Sequence, residues 1–159
     1  SDPEKDDFFV MTQKDIVDRL STITQALTIF LAMIASISLL VGGIGIMNIM
    51  MVSVTERTRE IGLRKALGAT NSDIMKQFLF EAIILTVSGG ATGTILGISL
   101  AFIISEILKS QFNLAWPFQI PLSAIILGVG MAGIIGLIFG IYPAKKAANK
   151  DPIEALRYE

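Results

Sequence analysis

Three long stretches of this chain carry no charge at all: 36 residues between Arg19 and Glu56, 24 between Glu81 and Glu106, and 35 between Lys109 and Lys145. An α-helix needs roughly 20 apolar residues to cross the hydrocarbon core of a bilayer, so each stretch can cross once and none has room for two crossings and a turn. Unsatisfied backbone is too costly in lipid, and three long unbroken runs cannot build a closed β-barrel, which leaves helices. The fold class that follows is an all-α membrane protein with three transmembrane helices.

The charges orient it. Lys and Arg number three before the first span (Lys5, Lys14, Arg19), five between the first and second (Arg57, Arg59, Arg64, Lys65, Lys76), one in the next loop (Lys109) and four in the tail (Lys145, Lys146, Lys150, Arg157). By the positive-inside rule the first loop and the tail are cytoplasmic, while the N-terminus and second loop lie outside. Cys and His are absent, which excludes disulfides, the usual zinc sites and Cys or His catalysis within this chain. No Gly-rich phosphate loop and no Ser/Lys pair appears, and no charge lies deep in a span where an ion relay would need one. No metal, cofactor or nucleic-acid partner is expected of the chain itself. Its acidic opening, SDPEKDD, is unlike a secretory signal, so further sequence is expected upstream.

Residues 1–11, with Phe8, Phe9 and Val10, read as the end of an extracytoplasmic domain or a frayed terminus. Residues 12–58 form the first span and more. Thr12 and Asp15 make a capping box, after which Ile16, Leu20, Ile23 and Leu27 keep a 4-3 spacing that favours left-handed helix pairing in water. A helix unbroken to about Thr58 would be roughly 70 Å long against about 30 Å of hydrocarbon, so its first part should stand outside as a stalk. Gly42, Gly43 and Gly45 allow close approach or a bend, and Asn48 can bond across a helix pair.

Residues 59–72 form an elbow. Glu60 and Arg64 are an i, i+4 pair, Gly68 is placed to close a short helix, and Thr70 with Asp73 forms a second capping box. Ile61 and Leu67 are expected to fill a groove on a partner. The elbow's own charges do not distinguish such a docking element from a solvated loop. The second span, 73–106, carries Gly89, Gly93 and Gly97 at four-residue spacing, with Gly90 beside them; the third, 120–143, carries Gly128, Ala132, Gly136 and Gly140. These small-residue lines are expected to pack the two spans together. Between them, loop 107–119 holds Trp116, Pro117 and Phe118 as an outer interfacial anchor. Tyr142 and Pro143 are expected to close the third span, and Asp151-Pro152 to start a short helix in the cytoplasmic tail, 144–159.

The run MNIMMVSVTERTREIGLRKALGATNSDIMKQFLFEAIILTVSGGATGTILG closely resembles the C-terminal half of MacB/FtsX-type ABC transporter permeases. The likeness extends through the tail from Tyr142-Pro143-Ala144 to Asp151-Pro152-Ile153-Glu154-Ala155-Leu156-Arg157. It implies a multi-pass protein of the bacterial inner or plasma membrane, supplying the last three of four membrane helices. It also implies homodimer formation along the stalk seam of Ile16, Leu20, Ile23 and Leu27. An ABC ATPase, fused or separate and carrying ATP and magnesium, would contact the elbow through Glu56, Arg57, Arg59, Glu60, Ile61, Gly62, Arg64, Lys65, Leu67 and Gly68. A membrane fusion protein is the implied outer adaptor. The implied function is export or extraction of amphipathic molecules such as macrolides, peptides or lipoproteins, by transmission of ATPase motion along the helices. The alternative in the same family is an FtsX-like scaffold that activates an extracytoplasmic cell-wall hydrolase.

Overall fold

A computed structural model describes residues 12–112 and 118–157. These residues form α1 (Gln13–Glu56), α2 (Thr58–Ala66), α3 (Asn71–Phe112), α4 (Leu122–Ala148) and α5 (Pro152–Arg157), with no strand among them. α1, α3 and α4 are each long and apolar enough to cross a membrane. Phe8, Phe9, Val10 and Trp116, read above as a domain end and an anchor, lie outside the described residues.

The chain divides into two units, residues 1–39 and 40–159. Within the described part of the first, α1 begins where the Thr12–Asp15 pair closes. The Thr12 amide donates to Asp15 Oδ2 at 3.0 Å and the Asp15 amide to Thr12 Oγ1 at 3.4 Å. Hydroxyls further along bond back to their own helix, as Thr22 does to the Asp18 carbonyl and Thr28 to that of Thr24. The hydrophobic seam is open to the outside: Ile16, Leu20, Ile23 and Leu27 are all about half exposed, between 47% and 59%.

In the second unit, α3 and α4 pack along one line of small residues. Taken in descending residue order on α3 and ascending order on α4, Thr94 meets Gly128, Gly90 meets Ala132, Thr86 meets Gly136 and Ala82 meets Gly140. Each step advances four residues on both helices, so the pairs keep a constant antiparallel register. A Cβ on Gly136 would collide with Thr86 and stand 3.1 Å from the Ala82 carbonyl, and one on Gly140 would stand 2.7 Å from the Ala82 Cβ. Between helices in lipid there is no water to expel, so this close backbone approach supplies the attraction through dispersion. α1 joins through Gly43, where a Cβ would run into the Phe139 ring.

The expectation for Gly89, Gly93 and Gly97 needs correction. None of them has an atom of another helix within 4 Å of where a Cβ would stand among the described residues, because the contact runs along the neighbouring line through Gly90. Adjacent helical positions differ by about 100°, enough to separate a packed face from an open one. Pro143 does not end the helix: α4 passes through it to Ala148. Its missing N–H costs a helix bond. Burial of its side chain beside Ala144, Ala147 and Ala148 offsets that loss.

The hydrophobic core sits at the end of the unit where α1, α2, α3 and α4 come together. Met50 and Val54 of α1, Ile61 of α2, Ile74, Phe78 and Ala82 of α3, and Ala144, Ala147 and Ala148 of α4 form one buried cluster. Elsewhere the apolar residues of the spans are largely exposed, as lipid-facing residues can be.

Candidate functional site

The inner core positions the elbow. α1 ends at Glu56, and Arg57 alone separates it from α2, at φ −93° and ψ 16°. The hydrogen bonding barely pauses there. The Arg57 amide donates to the Ser53 carbonyl and the Ile61 amide to the Arg57 carbonyl, each at 3.0 Å. Thr58, almost fully buried, donates its hydroxyl to the Val54 and Thr55 carbonyls. One Arg57 guanidinium nitrogen lies 3.2 Å from both carboxylate oxygens of Glu81, fastening the break to α3.

α2 ends in a Schellman motif. Gly68, at φ +103°, donates its amide to the Lys65 carbonyl, and Ala69 donates to that of Arg64, both at 3.0 Å. α3 then opens on its capping box: the Thr70 amide donates to Asp73 Oδ2 at 3.0 Å and the Asp73 amide to Thr70 Oγ1 at 3.2 Å. The Thr70 hydroxyl and amide, with a smaller contribution from the charge of Lys76, hold the Asp73 carboxyl below its ordinary pKa. Asp15 is lowered in the same way by Thr12. Both carboxylates stand in the first turns of their helices, ahead of the long uncharged runs.

α2 is two-faced. Thr58, Ile61 and Gly62 are buried and Lys65 is half-buried, a set spaced i, i+3, i+4 and i+7. Gly62 lies so close to α5 that a Cβ would stand 2.6 Å from the Ala155 Cβ. Lys65 donates to the Ala148 carbonyl at 2.6 Å and the Lys150 carbonyl at 2.7 Å. Arg64 donates to Glu60 Oε1 and Gln77 Oε1, each at 2.6 Å. Arg59, Glu60, Leu63, Leu67 and Gly68 face outward, with Leu67 at 81% exposure.

The structure therefore sorts the expected coupling residues into two groups. Glu56, Arg57, Arg59, Glu60, Leu67 and Gly68 are exposed and Arg64 half so, whereas Ile61 is spent on the chain's own core and Gly62 and Lys65 on the tail. Ile61, expected in a partner's groove, is 1% exposed, because the cluster of α1, α3 and α4 side chains encloses it. Sequence reading missed exposed Leu63, the Glu81 and Gln77 partners, and the contact of α5 with α2. The i+4 relation of Leu63 to Leu67 was the available signal for the first. The rest are pairings across distant parts of the chain, which local spacing does not encode.

Gly68 is the one glycine with positive φ among the described residues, and the amides of Gly68 and Ala69 are both committed to the α2 carbonyls. No group of three His, Cys, Asp or Glu among the described residues could hold a metal ion.

Residues 32–152 match the family model of the FtsX-like permease C-terminal domain. The macrolide export ATP-binding/permease protein MacB of Bdellovibrio bacteriovorus is 51% identical over 154 residues, covering 97% of this chain and 23% of that protein. The MacB protein of Syntrophobacter fumaroxidans is 48% identical over 98% of this chain and 21% of its own length. The uncharacterized ABC transporter permease YknZ of Bacillus subtilis is 49% identical over 98% of this chain and 38% of its own length. The chain thus spans less than a quarter of these MacB relatives and under half of YknZ.

Proposed function

Since the chain belongs to the FtsX-like permease family and is a multi-pass membrane protein of the MacB-like ABC transporter permeases, we propose that its elbow couples an ABC ATPase to work across the membrane. The observation that carries this reading is the two-faced α2. Its inner face is locked into the core shared by α1, α3 and α4, while Arg59, Leu63 and Leu67 stand exposed on the other side. A push on that outer face reaches all three spans through one packed cluster, since packed side chains yield as a unit.

In this reading ATP and magnesium are held by the ATPase, as domain or partner subunit, since this sequence carries no Gly-rich phosphate loop. The basic residues of the elbow and tail keep both on the cytoplasmic side. The exposed seam of Ile16, Leu20, Ile23 and Leu27 pairs with a second copy, and the outer domains, with an adaptor, act on amphipathic substrates such as macrolides, peptides or lipoproteins. The MacB relatives' name, macrolide export ATP-binding/permease protein, supports the export assignment.

The test is Leu67→Asp combined with Arg59→Glu in the full-length protein. Both positions are exposed, so membrane insertion should be unchanged while ATPase stimulation by transport substrate falls at least about tenfold, the loss typical of a disrupted hot spot. Undiminished stimulation would remove α2 as the coupling element.

A further inference from the structure

The C-terminal segment after α4 does not hang free. Asp151 starts α5 by accepting the Ile153 amide at 2.7 Å on its side chain and the Ala155 amide at 2.9 Å on its carbonyl. That turn lays Ala155, 2% exposed, against Gly62, with the Pro152 carbonyl 3.4 Å from where a Gly62 Cβ would stand. Lys65 sits one helical turn further along the same face of α2. Its ammonium reaches the Ala148 carbonyl, at the last residue of α4, and the Lys150 carbonyl just beyond.

The carbonyls at a helix C-terminus lack intrahelical donors and carry the negative end of the helix dipole, so a cation there makes charge-assisted hydrogen bonds. Within α4's last turn, Lys145 and Lys146 are exposed and do not reach these acceptors in any hydrogen bond of the described residues. The cation that does comes from another helix, 83 residues away in the chain from Ala148. A lysine engaged this way has a geometric role: it caps α4 only while α2 lies where it does.

We propose that Lys65 is a positioning residue which, together with α5 docked on Gly62, latches α2 to the inner end of α4. The proposal rests on the reading of α2 as the coupling element and adds a route to it. Motion of α2 passes to α4 directly through the Lys65 contacts, besides passing along the chain to α1 and α3. The register of α4 against α3 then carries it onward, since Ala82, Thr86, Gly90 and Thr94 hold α4 without side-chain slack.

The experiment uses the full-length permease with its ATPase in lipid nanodiscs, freed of other cysteines and spin-labelled at Arg59 and Lys146, both exposed. Wild type should give a narrow distance distribution between α2 and α4. Lys65→Met should widen it at least about twofold and reduce substrate-stimulated ATP hydrolysis about tenfold, whereas Lys65→Arg, which keeps a multidentate cation, should restore both. A distribution as narrow in Lys65→Met as in wild type would overturn the latch. Widening with ATP hydrolysis unchanged would leave the latch standing and remove α2 as the coupling element, so the two readings fail separately. If Lys65→Met does not insert, Gly62→Ala applies the same test from the other side, since its Cβ must displace α5.

Discussion

Arg57 and Glu81, 24 residues apart in sequence, meet where α1 gives way to α2, with one guanidinium nitrogen 3.2 Å from each carboxylate oxygen. The side chains keep 47% and 33% exposure, so solvent screens much of their attraction. Breaking the pair should cost about 0.2–1 kcal/mol. Glu81→Gln and Arg57→Gln should each lower stability by this order, and the double variant by less than their sum. A double-mutant cycle read by unfolding in detergent checks it; strictly additive losses would show that the two do not interact.

The register of α3 on α4 predicts opposite results at neighbouring glycines. Gly136→Val drives a side chain into Thr86 and should cost about 1–3 kcal/mol, the usual cost of overpacking. Gly130→Val, with open space at its Cβ, should change the stability of this chain by less than about 0.5 kcal/mol. Thermal unfolding of the two variants side by side separates them.

Gly68 at φ +103° closes α2 in a conformation that costs an L-residue about 1–2 kcal/mol. Gly68→Ala should therefore destabilise the elbow by that order, although nothing lies within 4 Å of the new Cβ, and Gly68→Asn should cost less. Amide exchange of the α2 residues reports it locally: faster exchange in Gly68→Ala than in Gly68→Asn is the expected order.

The pH dependence of α3's first turn follows from Asp73. Its carboxyl is held below its usual pKa by the Thr70 hydroxyl and amide, so the native state binds that proton less readily than the unfolded chain. The stabilisation is complete above the unfolded value near 3.8 and is lost as pH falls through the lower folded value. Thr70→Ala should move the Asp73 titration back upward, as carboxyl NMR would record. Asp73→Asn should remove this part of the acid sensitivity altogether.

The exposed stalk seam predicts cross-linking. The sequence holds no cysteine, so Ile16→Cys, Leu20→Cys and Ile23→Cys can be introduced singly. If the seam pairs with a second copy, oxidation should give symmetric dimers at one or more of the three. Cysteines on the opposite face, such as Asp18→Cys, should react far less. Absence of cross-links at all three seam positions would argue against pairing there.

What the sequence determined by itself was whatever depends on neighbours a few residues apart or on the bilayer as solvent. Three uncharged runs had to be three helices, because lipid leaves the backbone no other partner. The Thr12–Asp15 and Thr70–Asp73 caps, the Glu60–Arg64 pair and the Gly68 stop are contacts over three to five residues, and each formed where its spacing placed it. The tertiary structure alone decided which face of each span meets another. Inside a membrane every face is apolar, so periodicity carries no phase, and nothing in the spacing of Gly89, Gly93 and Gly97 distinguishes that open line from the packed one through Gly90. It also decided that Ile61 turns inward while Leu67 turns out, and that Lys65 caps a helix beginning more than fifty residues after it. Those outcomes depend on which distant segments share the inner core.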